Sequence, residues 1–184
     1  MLRLTAVILA LLACSPTQAT EAGWALLRDG EQVVLLRNAM APGAADPADF
    51  DIDKCSTQRR LSDRGKQQAR KMGALFAARA APTERVLSSR YCSALETAEL
   101  AFEASKVERF APLDMLSKDP AEIAQQTAAI MDTIRSYSGS GNLMMITHKE
   151  AIKALTGVDA REGEAVIVRP EGEGLRVLAR IVFN

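Results

Sequence analysis

The stretch VVLLRNAMAPG, Val33–Gly43, predicts a buried strand that runs into a polar turn. Four apolar residues lead up to Arg37, and Asn38 follows at the point where the chain must leave the sheet. In open α/β sheets, ligands bind at the carboxyl ends of the strands. The pair Arg37-Asn38 is therefore a candidate for a ligand-binding site.

Length and composition restrict the class of protein. The chain has 184 residues, of which 48% are hydrophobic and 25% charged, which is typical of one globular domain and not of a disordered or fibrous chain. Lys plus Arg equals Asp plus Glu, 23 each, so no overall charge favours nucleic acid or an anionic membrane as a partner. Any anion site must therefore be local.

The N-terminal residues 1–19 have the three-part pattern of a secretory signal. Arg3 is followed by an apolar run, Leu4–Ala13, and then by a short segment of small and polar residues. The apolar run is too short to span a bilayer. Cleavage after Ala19 would leave residues 20–184 as a soluble exported domain.

A lipoprotein signal is the alternative for the same segment. The residues LLAC end at Cys14 and resemble a lipoprotein box, in which case Cys14 would carry a lipid anchor. Leu12 is bulky for that box, so we favour the soluble form. On either reading the protein is exported, and in a bacterium it is periplasmic or, as the alternative, a membrane-anchored lipoprotein.

Two cysteines remain after the leader, Cys55 and Cys92. An even pair in an oxidising compartment is a candidate disulfide, and two buried free thiols are the alternative. Neither cysteine has the spacing of a metal ligand, and His148 is the only histidine in the sequence. A zinc site of the usual type needs more ligands than this. The sequence therefore predicts no metal and no cofactor.

Helical and strand patterns alternate along the rest of the chain. Strands are predicted at Gln32–Leu36, Arg85–Ser89, Leu143–Thr147 and in a final hairpin, EAVIVRP and GLRVLARIVF, that turns at Glu171–Gly174. Helices are predicted at Glu21–Leu27, from the cap Ser62 to Ala78, at Ser93–Ala104 and at Ala121–Tyr137. Between them, residues 41–60 have no clear period and predict a long surface loop. This alternation, with uninterrupted apolar strands, predicts an α/β fold, a three-layer α/β/α sandwich.

Three predicted strands end in polar groups: Arg37-Asn38, Ser88-Ser89-Arg90 and Thr147-His148. Together with the segments around them, these groups resemble the histidine phosphatase superfamily, which has the phosphoglycerate mutase-like fold. The resemblance rests on LLRNA, LSDRGKQQARKMG, LSSRYCSALETA and ITHKEAIKALTG, and it covers nearly the whole mature chain. Each motif is only moderately specific, but four in the right order are strong evidence.

The resemblance implies roles for particular residues. In that family the first motif reads Arg-His-Gly or Arg-His-Ala, and its histidine takes up the phosphoryl group. The neighbouring arginine, an arginine from the motif S-x-x-x-R-A-x-x-T and a second histidine hold the phosphoryl oxygens. Arg37 matches the first arginine and His148 the second histidine. The chain departs at two positions, because Asn38 stands at the nucleophile and Ser93 at the second arginine.

These departures predict a phosphate-binding pocket with little or no phosphatase activity, that is, a pseudoenzyme. The amide nitrogen of Asn38 is delocalised and is no nucleophile, although it can donate a hydrogen bond. Ser93 offers one weak donor where a guanidinium would bind two oxygens, and Arg90 is close enough in sequence to contribute. We expect phosphate or a phosphorylated small molecule to bind through Arg37, Asn38, His148, Arg90 and Ser93.

Other functions fit the same sequence less well. An active phosphatase is the alternative, either because Asn38 was engineered into an active enzyme or because His148 or water replaces the nucleophile. The independent change at Ser93 favours natural loss, since a designer would need only the change at position 38.

No G-x-S-x-G elbow supports a serine hydrolase. The basic residues Arg59, Arg60, Lys66, Arg70 and Lys71 are interpreted as a solvated helix face, because no aromatic residues interleave with them.

Overall fold

The computed structural model describes residues 16–43 and 45–184. In this part of the chain the helices are α1 Pro16–Asp29, α2 Asp63–Ala78, α3 Cys92–Phe102, α4 Pro120–Ser136 and α5 Lys149–Thr156. The strands are β1 Val33–Arg37, β2 Thr83–Ser88, β3 Val107–Arg109, β4 Asn142–Thr147, β5 Glu164–Glu171 and β6 Gly174–Val182. The predicted leader lies mostly outside the described residues, as does Cys14, the predicted site of the lipid anchor.

The strands form one six-stranded sheet in the order β3-β2-β4-β1-β5-β6. The first four of these strands are parallel, and β5 and β6 continue the sheet as an antiparallel hairpin. In this register Arg37 of β1 lies beside Thr147 of β4, and Ser88 of β2 lies beside Ile146. The carboxyl ends of β1, β2 and β4 therefore meet at one edge of the sheet, as predicted.

Helices cover both faces of the sheet, which confirms the three-layer sandwich. Alternate side chains of a strand point to opposite faces. On one face, Val34 and Leu36 pack in a cluster with residues of α1, α2 and α3. On the other face, Val33 and Leu35 pack in a second cluster with residues of α4 and α5. Because the central strands are buried on both faces, they appear in the sequence as continuous apolar runs.

Helix α1 is longer than the predicted helix Glu21–Leu27, and it spans the predicted cleavage point after Ala19. Trp24 fixes this helix to the fold through edge-to-face contacts with Phe76, at 5.4 Å between ring centroids, and with Phe183, at 6.0 Å. Among the described residues, no helix is both long and apolar enough to cross a membrane.

The motif LSDRG joins α2 to the turn that follows β1. Ser62 caps the helix by accepting a hydrogen bond from the backbone N–H of Gly65 at 3.0 Å, which confirms the predicted cap. The carbonyl of Met40 accepts a hydrogen bond from the backbone N–H of Ser62 at 3.1 Å. A Cβ atom at Gly65 would overlap that same carbonyl, so only glycine permits this approach. The start of α2 thus supports the chain just after Asn38.

Strand β3 was not predicted from the sequence. It has three residues at the edge of the sheet, and Glu108 and Arg109 are exposed. A short edge strand with charged side chains lacks the apolar run that identifies a strand in a sequence. The loop of residues 41–60 is irregular as predicted, apart from one 3-10 turn at Cys55–Thr57. Its Cys55 is bonded in a disulfide to Cys92, the first residue of α3.

Candidate functional site

A small cavity of about 70 Å³ lies at the edge of the sheet where β1 and β4 end. Its lining residues are Arg37, Asn38, Arg59, Met115, His148, Lys149 and Glu150. About 10–15 Å³ of such space is enough to hold one water molecule, so the cavity has room for a small ion. A wider pocket of about 540 Å³ shares Met115 with it and has Phe50 and Tyr91 in its wall.

Arg37 ends β1 and lines the cavity. One terminal nitrogen, Nη1, donates a hydrogen bond to the carbonyl of Ala160 at 2.7 Å. The other, Nη2, lies 4.0 Å from a carboxylate oxygen of Glu162. The Nε atom is buried and finds no hydrogen-bond partner among the described residues. Arg37 is therefore held in place and keeps an unused donor.

Asn38 is buried, with only 2% of its surface exposed. Its backbone N–H donates to the carbonyl of Thr147 at 3.0 Å, and its own carbonyl accepts from the N–H of Gly163 at 3.0 Å. The side-chain Nδ2 donates to the carbonyl of Ala39 at 2.9 Å. These bonds fix the residue between β4 and the segment before β5, with its side chain in the wall of the cavity.

His148 follows β4 and is part of a buried hydrogen-bond chain. Its Nε2 lies 3.0 Å from the hydroxyl oxygen of Ser89, which lies 2.9 Å from Oδ1 of Asp114. The same hydroxyl oxygen accepts the backbone N–H of Tyr91 at 3.1 Å. A hydroxyl has one proton and a carboxylate only accepts, so Ser89 donates to Asp114 and accepts from the N–H at Nε2 of His148.

The other ring nitrogen of His148 consequently carries a free lone pair. This atom, Nδ1, is buried and has no hydrogen-bond partner among the described residues. Burial lowers the pKa of His148 to about 3, and the positive charges of Arg59 and Arg37 add to this effect. The ring of Tyr91 packs edge-on against the imidazole at 5.2 Å. His148 is thus a neutral, enclosed base at the wall of the cavity.

The chain Asp114–Ser89–His148 does not have the order of a serine hydrolase triad. In that triad the histidine lies between the serine and the acid and takes the serine proton. Here Ser89 lies in the middle, and its proton is bonded to the carboxylate of Asp114. The chain therefore orients His148 and does not activate Ser89.

Arg90 and Ser93, both predicted to bind phosphate, are not among the residues that line the small cavity. Arg90 binds Asp114 through its backbone N–H and its Nε, each at 2.7 Å, and lines the wider pocket. Ser93 is 2% exposed, and its carbonyl accepts the hydroxyl of Thr97 at 2.7 Å. That hydroxyl in turn accepts the backbone N–H of Ala39 at 2.9 Å. Of the five predicted residues, the structure brings Arg37, Asn38 and His148 together.

Two residues near the cavity were missed in the sequence. Arg59, interpreted there as part of a solvated helix face, instead lines the cavity from the end of the long loop. Its position depends on that loop, which has no periodicity from which a direction could be inferred. Asp114 follows the unpredicted strand β3 and lies outside every recognised motif. Among the described residues, no three His, Cys, Asp or Glu side chains cluster so that they could hold a metal ion.

Comparison with known proteins identifies the fold. No family model and no curated protein matches the sequence. The protein histidine phosphatase SixA complexed with tungstate is a structural match, with a TM-score of 0.56, 18% identity, and coverage of 82% of this chain and 96% of that chain. A phosphoserine phosphatase mutant from Entamoeba histolytica, in complex with phosphoserine, matches with a TM-score of 0.59, 12% identity, and coverage of 81% and 95%.

The phosphoserine phosphatase from the same organism in complex with 3-phosphoglyceric acid matches equally well, with a TM-score of 0.59, 11% identity, and coverage of 81% and 95%. The chain therefore has the fold of the histidine phosphatases, which is the phosphoglycerate mutase-like sandwich expected from the sequence. At these identities the likeness establishes the fold alone.

Proposed function

We propose that this chain is an exported binding protein of the histidine phosphatase superfamily. It holds phosphate, or the phosphate group of a small ligand, without transferring the phosphoryl group. The observation that carries this proposal is the position of Asn38, buried in the cavity wall with Arg37 and His148. This is where the family pattern has its nucleophilic histidine.

The covalent step needs a nucleophile that the position does not supply. A phosphohistidine forms when an imidazole lone pair attacks phosphorus, whereas the lone pair of the Asn38 amide nitrogen is delocalised into its carbonyl. That nitrogen is also a donor to the carbonyl of Ala39. The chain has one histidine in total, His148, so no second imidazole replaces the missing one.

The cavity nevertheless retains groups that bind a phosphate. The unused Nε donor of Arg37 makes a charge-assisted hydrogen bond to a phosphate oxygen. His148 accepts the P–O–H proton of a phosphate monoanion at its free Nδ1. The wider pocket, with Phe50 and Tyr91 in its wall, accommodates the substituent of a phosphorylated ligand. The neighbours solved with tungstate, phosphoserine and 3-phosphoglyceric acid support an oxyanion as the ligand class.

Calorimetry and an enzyme assay on the same preparation test the proposal. We expect residues 20–184 to bind inorganic phosphate at pH 6 and to leave a generic aryl phosphate unhydrolysed. The variant Arg37→Gln should bind phosphate at least about tenfold more weakly, because a hydrogen bond to a charged group contributes about 1.5–3 kcal/mol. Absence of phosphate binding by the unmodified chain would refute the proposal.

One observation favours a second function, a phosphatase that uses His148 as its nucleophile. The free lone pair at Nδ1 could attack phosphorus as the ester P–O bond breaks, and water would then release the phosphate. The low pKa of His148 makes this nitrogen a weak nucleophile. Aryl phosphate hydrolysis by the unmodified chain, lost in His148→Ala and accompanied by an acid-labile phosphate on His148, would establish this function instead.

Export is the remaining part of the proposal, and it rests on the leader sequence. Intact-mass measurement of the protein purified from a periplasmic extract should give a chain that begins at Thr20. A membrane-bound product with a diacylglycerol mass at Cys14 would instead support the lipoprotein alternative. Retention of residues 1–19 in a cytoplasmic product would contradict both.

A further inference from the structure

We infer that Arg59 is the second phosphate-binding arginine of this site and takes the place of the guanidinium that the family pattern has at the position of Ser93. The inference rests on the proposed function, because it concerns the same ligand. It assigns the role to a residue from a different element, the long loop of residues 41–60, which the family motifs do not cover.

The inference rests on buried polar atoms that have no hydrogen-bond partner. Among the described residues, the buried side-chain nitrogen and oxygen atoms without a hydrogen-bond partner are Nε of Arg37, Nε of Arg59 and Nδ1 of His148. All three residues line the same cavity of about 70 Å³. Buried polar groups are almost always hydrogen-bonded, and each exception needs an explanation. Three exceptions on residues that line one cavity are explained together by a ligand that enters the cavity and bonds to all of them.

The charges in the cavity agree with an anionic ligand. The positive charges of both Arg59 and Arg37 lower the pKa of His148, so both guanidinium groups lie near its imidazole. Lys149 adds a third cation, although its ammonium group is 2.9 Å from the carboxylate of Asp159. Glu150 is the acidic residue in the lining. A further carboxylate, Glu162, lies 4.0 Å from Nη2 of Arg37 but is not in the lining. The lining itself has more cations than carboxylates, which favours an anionic ligand over a neutral one.

The loop holds Arg59 in place from both sides. Its backbone N–H donates to the carboxylate of Asp46 at 2.6 Å, and its Nη1 donates to the carbonyl of Gly43 at 2.8 Å. The preceding residue, Gln58, accepts the backbone N–H of Cys92 at 2.9 Å through its side-chain oxygen. Cys92 is also bonded by a disulfide to Cys55 of the same loop, three residues before Gln58. Arg59 therefore meets the ligand already oriented, which reduces the entropy lost on binding.

Two variants with the same loss of charge test the inference. Arg59→Gln removes the guanidinium from the cavity, and Arg70→Gln removes one from the exposed side of α2. Calorimetry with inorganic phosphate at pH 6 should give an affinity about 10- to 100-fold lower for Arg59→Gln, the range expected for a charge-assisted hydrogen bond. Arg70→Gln should bind within about twofold of the unmodified chain, since a surface charge far from a ligand is largely screened by salt.

The result also separates this inference from the proposed function. If the unmodified chain binds no phosphate, the proposed function is wrong. If it binds phosphate and Arg37→Gln weakens that binding while Arg59→Gln does not, only the role of Arg59 is wrong. An equal loss of phosphate affinity in Arg59→Gln and Arg70→Gln would also overturn the role of Arg59, because the loss would then come from the change in net charge.

A measurement on the unmodified chain avoids any effect of substitution on folding. Phenylglyoxal modifies accessible arginines, and peptide mapping reports each of them separately. Saturating phosphate should slow the modification of Arg59 and Arg37 and leave that of Arg70 unchanged. Modification of Arg59 at the same rate with and without phosphate would overturn the inference.

Discussion

The hydroxyl oxygen of Ser89 lies 3.0 Å from Nε2 of His148, and its proton is bonded to Asp114. This relationship fixes the proton of His148 on Nε2 and leaves Nδ1 as a free base at the cavity. We therefore expect the nitrogen spectrum of a ¹⁵N-labelled sample at pH 7 to show a protonated Nε2 and an unprotonated Nδ1. The signals need no assignment, because His148 is the only histidine.

The variant Ser89→Ala is the matched test of this tautomer. It removes the acceptor for Nε2, so the two nitrogen resonances should move toward those of a mixture of tautomers. An unmodified chain with its proton on Nδ1, or with both nitrogens protonated at pH 7, would contradict the hydrogen-bond chain described above.

Acid should destabilise the fold through the same histidine. The pKa of His148 is about 3 in the folded chain, against the usual 6.5. Between these values the unfolded chain binds more protons than the folded chain. The contribution of His148 to the free energy of unfolding is therefore fully present above pH 6.5 and is lost progressively as the pH falls from 6.5 toward 3. The free energy of unfolding, measured with urea, should decrease by about 2 kcal/mol between pH 6.5 and pH 5.

The control for this prediction is His148→Asn, which has no group that titrates in that interval. The exposed carboxylates of Glu108 and Asp159 have pKa values lowered below their ordinary ones by ion pairs with Arg85 and Lys149, so their contribution to stability is lost only in stronger acid. An equally steep loss of stability in His148→Asn would show that another group is responsible.

The disulfide should support both the stability of the fold and the affinity for phosphate. Cys55 and Cys92 close a loop with a sequence separation of 37 residues. Removing this cross-link should cost about 4 kcal/mol in the chain-entropy model. Since the loop also carries Arg59, the variant Cys55→Ser/Cys92→Ser should bind phosphate more weakly even under conditions in which it remains folded.

Mass spectrometry of the non-reduced protein provides the first check, and it should find no free thiol at either position. Urea unfolding and phosphate calorimetry of the double variant provide the second. Two alkylatable thiols in the purified non-reduced protein, or an unchanged affinity for phosphate in the double variant, would contradict this prediction.

Much of the fold could be predicted because its core strands are short and strongly apolar. Val33–Arg37 and Asn142–Thr147 are buried on both faces, so they form continuous hydrophobic runs that stand out in the sequence. Ser62 was identifiable as a cap because capping depends on local chemistry. Strand β3 was not, because its pairing with β2 at the edge of the sheet leaves its side chains exposed.

The candidate site was predictable only in part. The parallel sheet alone brings together Arg37, Asn38 and His148, because each stands at the carboxyl end of a strand or directly after it. Arg59 depends on the path of an irregular loop, which is set by long-range contacts with Asp46 and with α3. The direction of Arg90 depends on Asp114, a residue 24 positions away. Neither contact leaves a periodic signal in the sequence.

Replacing Asn38 should restore covalent chemistry. In Asn38→His, the ring Nδ1–H can donate to the carbonyl of Ala39, as Nδ2 of Asn38 now does at 2.9 Å. This bond would leave the Nε2 lone pair toward the cavity, where Arg37 and Arg59 would bind the phosphoryl oxygens. Aryl phosphate hydrolysis should rise by orders of magnitude, with an acid-labile phosphate at position 38.

The double variant Asn38→His/Arg59→Gln is the control for that gain. It should lose most of the restored hydrolysis, because nucleophile and cation act on one transition state. Hydrolysis that stays at the unmodified level in Asn38→His, although the variant is folded and binds phosphate, would contradict the role assigned to position 38.

Phosphorus NMR of the unmodified chain mixed with an aryl phosphate tests the central claim most directly, because one spectrum reports both binding and turnover. The account predicts that the ester resonance shifts or broadens in a saturable way while no inorganic phosphate accumulates above the protein-free control. Growth of the inorganic phosphate resonance that disappears in His148→Ala, or an ester resonance that the protein does not perturb, would contradict it.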